Sequence, residues 1–79
     1  MERPRSTPSR GRYAEGRSTL LPALATHRRQ RGLTQRQLGE LAGVAHSTVQ
    51  QLESLKRGAY PQTMQKLATA LRVEPKDLL

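Results

Sequence analysis

His46, Ser47, Gln50, Gln51 and Ser54 are spaced so that, on a helix turning about 100° per residue, they share an arc of roughly 140°. None of the five carries a formal charge, and each can form hydrogen bonds with the edges of nucleic-acid bases. Gln can pair with adenine N6 and N7, Ser can donate or accept, and His can donate to guanine acceptors. A solvated helix face more often mixes Glu and Lys in opposite-charge pairs, so this uncharged polar row leans towards recognition. Taken alone, simple exposure to water still accounts for it better. Other chemistry lacks partners: His27 is the only other His and there is no Cys, which leaves no metal-ligand set. No nucleophile stands ready to make His46 a catalytic base, so an enzyme is not expected.

The elements that must position these residues can be read from their start and stop signals. Val49 and Leu52 form a narrow apolar stripe behind the polar row, on a helix expected to begin near Ala45, with Val44 and Val49 as a hydrophobic staple. Before it, Thr34 is an N-cap, Gln37 completes a capping box, and Leu33 and Leu38 close the staple. Leu38, Leu41 and Ala42 are expected to face inward, and Gly43 suits a left-handed helix end. Upstream, Ser18 or Thr19 would cap a first helix that tolerates Pro22 in its first turn, points Leu20, Leu21 and Leu24 inward, runs to Gln30 or Arg31 and stops at Gly32. Downstream, a loop from Leu55 to Pro61 precedes a helix carrying Met64, Leu67, Ala68 and Leu71, and Pro75 opens a last short helix reaching Leu79. The expectation is all-α: five helices, no strands, one domain over residues 18–79.

Composition agrees with a small binding module. The 79 residues hold 14 Lys+Arg against 6 Asp+Glu, a formal charge of +8, which favours a polyanionic partner. Membrane surfaces and acidic proteins also attract cations, so charge alone leaves nucleic acid only the leading candidate. Residues 1–17 contain five Arg, two Pro and two Gly and almost nothing apolar, and are expected to be a disordered basic arm. Its Arg10-Gly11-Arg12 step suits an A·T-rich minor groove, but a solvated tail explains it about twice as well. No apolar run is long enough for a secretory or membrane segment, so a cytoplasmic, nucleoid-associated protein is expected, with no membrane contact.

The spacing of Leu33-Thr34-Gln35, Leu38, Gly43-Val44, Ser47-Thr48-Val49 and Leu52-Glu53 resembles the helix-turn-helix of lambda-repressor-like (Cro and repressor, xenobiotic-response-element) regulators. The likeness extends through Leu24, Arg28 and Gly32 on one side and Pro61, Leu67-Ala68, Leu71, Val73 and Leu78-Leu79 on the other, roughly residues 20–79. The resemblance implies base contacts by His46, Ser47 and Gln51, with Gln50 at the edge of that set. It implies phosphate contacts by Gln35 and by the Lys56-Arg57 loop; Arg36 and Thr48 are further phosphate candidates. It also implies an ion pair between Arg28 and Glu53, and a small residue at Gly39 where two helices cross. No cofactor is implied. Three positions depart from the family pattern. Ala45 stands where Ser or Thr usually caps the recognition helix, at a cost of ~0.5–2 kcal/mol. Ala25 replaces a frequent Arg. Leu55 takes the place of a usual Gly in a longer loop, and is expected to extend the helix, bury itself and displace Lys56 and Arg57. The resulting expectation is a sequence-specific DNA-binding transcriptional regulator, acting as a repressor and homodimer. An antitoxin that binds a toxin protein and autoregulates through DNA is the alternative.

Overall fold

A computed structural model describes residues 17–79, in which four α-helices follow one another: α1 (Leu24–Gln30), α2 (Gln35–Ala42), α3 (His46–Glu53) and α4 (Pro61–Leu71). The fifth expected segment, Pro75–Leu78, is a single turn of 3-10 helix. The arm expected over residues 1–17, with its Arg10-Gly11-Arg12 step, lies outside the described residues except for Arg17.

Every α-helix ends in the same backbone device. Beyond α1, α2, α3 and α4 the chain turns through a left-handed residue: Gly32 (φ 68), Gly43 (φ 70), Leu55 (φ 61) and Arg72 (φ 59). The next N–H then reaches back to an otherwise unsatisfied carbonyl near the helix end: Leu33 to Arg28, Val44 to Gly39, Lys56 to Gln51 and Val73 to Ala68, at 2.8–3.2 Å. This Schellman geometry satisfies carbonyls that the helix leaves over. Glycine enters it without strain, whereas an L-residue there costs roughly 1–2 kcal/mol. Two of the four stops therefore carry a strain that side-chain chemistry does not require.

Helix starts are less uniform. Thr34 Oγ1 accepts the Gln37 N–H at 3.0 Å while the Thr34 N–H donates to Gln37 Oε1 at 2.9 Å, a complete capping box for α2. Ala45 at the N-cap of α3 supplies no side-chain bond. The first helix starts later than its sequence signals suggest. Ser18 and Thr19 do not cap it; Thr19 instead pairs with Ala59 in an antiparallel bridge, through reciprocal N–H···O=C bonds of 2.9 and 2.8 Å. Pro22 explains the delay, because it disfavours helical geometry at the residue before it. As a result Leu21 is buried but Leu20 is exposed.

Leu21, Leu24, Leu38, Val49, Leu52, Leu67, Leu71 and Leu78 are buried and form the core, with Ala42, Ala59 and Ala68 filling the closer approaches. Each of the larger chains contributes about 1.5–3 kcal/mol by leaving water. Among the described residues no polar or charged residue is fully buried. Leu41, expected to face inward, is 63% exposed. The inward pair on α2 is Leu38 and Ala42, four residues apart, which puts Leu41 on the flank beside α4, where it borders a shallow cleft with Ala70, Thr69 and Lys66. The end of the chain closes the core: the Ala23 N–H donates to the Leu78 carbonyl, and His27 Nε2 lies 3.1 Å from the Asp77 carbonyl.

The α2–α3 crossing depends on Gly39. A methyl group there would sit 2.6 Å from the Val44 carbonyl oxygen and 3.6 Å from the His46 Cα, both backbone atoms that side-chain rotation cannot clear. Gly39→Ala is therefore expected to destabilise the domain by about 1–3 kcal/mol through overpacking, against the ~0.5–1 kcal/mol helix-propensity gain that alanine normally brings. Arg72→Gly, which relieves a left-handed L-residue, is expected to move stability the other way by about 0.5 kcal/mol. Thermal melts of both variants check this pair; a Gly39→Ala protein that melts above the wild type contradicts it.

Candidate nucleic-acid interface

Because Val49 and Leu52 are wholly buried, they set which side of α3 faces the core, and its other side faces solvent. His46, Ser47, Gln50, Gln51 and Ser54 are all exposed on that side, while Thr48 is half-buried at its edge. This outward face carries no carboxylate. Glu53, the only acidic residue of α3, is turned towards the body of the domain.

Glu53 is where three helices meet. Arg28 from α1 grips it with two hydrogen bonds, Nε to Oε2 at 2.6 Å and Nη2 to Oε1 at 3.0 Å. Gln35, the first residue of α2, donates from Nε2 to the same Oε1 at 2.9 Å. Arg28 Nη1 also donates to the Leu33 carbonyl at 2.7 Å, tying in the connection between α1 and α2. The two charged side chains are only 12% and 6% exposed, so little water competes for these bonds. A planar guanidinium facing a carboxylate in this two-pronged way fixes direction as well as distance.

The electrostatics follow from that geometry. Burial by itself pushes the Glu53 carboxyl up, but hydrogen bonds from Arg28 and Gln35, with the Arg28 and Arg29 charges, outweigh it and hold the group below its usual range. The Glu53 hydrogen bond raises Arg28, against the effect of its burial, so the guanidinium stays charged at any accessible pH. Gln35 keeps a second Nε2 proton for an outside acceptor, since one amide nitrogen carries two donors. Arg36 beside it is exposed.

Past α3, the structure overturns the expectation for Leu55. The residue neither extends the helix nor buries itself; it is 46% exposed and takes the left-handed conformation that glycine would occupy. The chain at Lys56 and Arg57 consequently turns back towards the exposed face of α3. The Lys56 N–H and the Ser54 hydroxyl both donate to the Gln51 backbone carbonyl, at 3.0 and 3.1 Å, and Arg57 Nη1 donates to Gln51 Oε1 at 3.3 Å. The Gln51–Arg57 contact is not read from sequence spacing on a helix, because the two residues lie on opposite sides of a helix stop. Treating Leu55 as the left-handed stop would have revealed it. Among the described residues no cluster of His, Cys, Asp or Glu could hold a metal ion. No described helix is long and apolar enough to cross a membrane.

The linkage between Glu53 and folding has a defined sign. Its folded pKa is depressed, so its contribution is complete above the unfolded value near 4.5 and is lost as pH falls through the lower, folded one. Glu53→Ala leaves the Arg28 charge half-buried without its partner and is expected to cost about 3–5 kcal/mol near neutral pH. Below pH 4.5 the gap between the variant and the wild type should narrow as the wild-type carboxyl protonates. Melting temperatures measured from pH 7 down to pH 3 check this, and a constant gap over the whole range contradicts it.

Comparisons with known proteins agree with this geometry. A helix-turn-helix family matches residues 24–78. The crystal structure of the restriction-modification controller protein C.AhdI from Aeromonas hydrophila is similar, with a TM-score of 0.72 and 35% sequence identity. The match covers 76% of this chain and 91% of that one. No curated protein matches in sequence. With its buried stripe, its glycine crossing between α2 and α3, and a family match over most of its length, the chain belongs to the lambda-repressor-like helix-turn-helix family.

Proposed function

We propose that this protein is a sequence-specific DNA-binding regulator of transcription that places α3 in the major groove. The observation that carries the reading is the uncharged row on α3, exposed on one side and anchored by Val49 and Leu52 on the other. A helix about the width of the major groove that presents His, Ser and Gln can form hydrogen bonds with base edges there. His46, Ser47, Gln50 and Gln51 are the base-reading residues in this proposal.

Phosphate contacts would set the register. Gln35 and Arg36 stand at the start of α2, where unsatisfied N–H groups and the helix dipole favour an anion. Thr48 lies half-buried at the edge of the exposed face of α3, and Lys56 and Arg57 bring two cations to the far end of that helix. The net charge of +8 favours approach to a polyanion. Occupancy of a promoter by such a domain excludes other proteins from the same groove, so repression is the regulatory outcome we propose. Two copies on half-sites about one helical turn, roughly 34 Å, apart would read a two-fold symmetric operator. Tyr60 and Leu79, exposed near the start of α4 and the chain end, offer apolar surface for that pairing. Similarity to a restriction-modification controller protein supports a regulatory role over an enzymatic one.

Binding titrations separate base reading from charge attraction. Gln51→Ala is expected to relax base preference at one position by about 5- to 150-fold while affinity for unrelated duplexes stays the same. Lys56→Ala should weaken binding to every duplex alike and reduce the slope of log K against log salt by about one unit. If both variants behave identically on all duplexes, α3 does not read bases.

A further inference from the structure

The hydrogen bond between Arg57 and Gln51 limits what Gln51 can offer a base. Arginine has five N–H donors and no acceptor, so only the carboxamide oxygen of Gln51 can face it. The contact therefore fixes the orientation of that amide by chemistry: Oε1 is turned to Arg57, and Nε2 is turned away. The backbone holds the arrangement from the other side. Leu55 at φ 61 folds the loop back, and the Gln51 carbonyl accepts from both the Lys56 N–H and the Ser54 hydroxyl. Residue 51 is thus bound at its main chain and its side chain by the three residues surrounding Leu55.

Base chemistry turns this into a preference. Two-pronged pairing of a glutamine with adenine needs the carboxamide oxygen to accept from N6–H while the nitrogen donates to N7. Cytosine likewise presents a donor in the major groove. Guanine presents two acceptors, O6 and N7, and asks only for donors. Arg57 takes one of the two lone pairs on the Gln51 oxygen and sets a positive group beside the other, which disfavours the N6–H donor of adenine, whereas Nε2 and the remaining guanidinium protons of Arg57 offer donors to the O6 and N7 acceptors of guanine.

We propose that Arg57 is a positioning residue for base recognition: by holding Oε1 of Gln51 it turns a residue able to read adenine into one that selects guanine. The proposal rests on the base-reading role given to α3 above, and assigns Arg57 a role that phosphate clamping alone does not include.

Selection of bound sequences from random duplex, using the full chain, tests it. Gln51→Ala locates the base concerned as the position where preference disappears. At that position the wild type should favour guanine, and Arg57→Ala should lower the guanine-to-adenine ratio by about fivefold or more, or reverse it. Lys56→Ala, which leaves the contact in place, should not change the ratio. An unchanged ratio in Arg57→Ala, with all sequences weakened equally, overturns the proposal and makes Arg57 a phosphate clamp. If Gln51→Ala alters no position, the base-reading role of Gln51 fails and the proposal falls with it. A measurement without DNA gives independent support or refutation: the side-chain amide resonances of Gln51 should shift in Arg57→Ala, and static resonances refute the contact.

Discussion

The carboxylate of Glu53 holds α3 in place. It receives two bonds from Arg28 on α1 and one from Gln35 on α2, and it is part of α3 itself, so a single group fixes the relative positions of three helices. Hydrophobic contacts alone would not do this as tightly, because burying Val49 and Leu52 sets which side of α3 is inside but permits small rotations and slides. Directional bonds to a two-pronged guanidinium remove that freedom. The same bracket also takes the only negative charge of α3 away from its outer face. What remains outside is polar, uncharged and bordered by cations, a surface that a polyanion can approach without repulsion.

Close packing and tight turns complete the arrangement. Gly39 lets α2 and α3 approach until backbone meets backbone, and Gly58 does the same where the loop after α3 meets Thr19, whose backbone a methyl group would approach to 2.8 Å. The four left-handed helix stops reverse the chain within a residue or two, which is how a domain this short fits four helices around one core. Two stops use glycine, and two place Leu55 and Arg72 in a conformation costly for L-residues. At Leu55 the strain sits next to the exposed face of α3, where Arg57 turns back to bond Gln51.

Much of this was legible in the sequence wherever the signals are local. The box of Thr34 and Gln37, the stop at Gly43 and the stripe of Val49 and Leu52 each lie within one or two turns, so α2 and α3 and the outward row on α3 follow from spacing. The errors arise where a distant segment decides. The late start of α1 reflects both Pro22 and a pairing of Thr19 with Ala59, and only the latter's proximity to Gly58 hints at it in sequence. Leu41 has the right spacing for burial but falls on the flank, because Leu38 and Ala42 are the pair of α2 that faces the core. Leu55 defeated a rule of residue preference: leucine favours helix, yet the carbonyls left over at the end of α3 needed a left-handed turn more. The Arg57 contact was hidden behind that same turn.

The exposed row of α3 is the surface expected to meet DNA. An NMR titration of the isotopically labelled chain with a duplex obtained by selection measures this directly. The largest shifts should fall on the side-chain amides of Gln50 and Gln51 and on the backbone of His46 and Ser47, with smaller ones at Gln35 and Lys56, while Leu67 and Leu71 in the core stay still. Shifts concentrated on the outer face of α4, with those α3 groups unmoved, would contradict it.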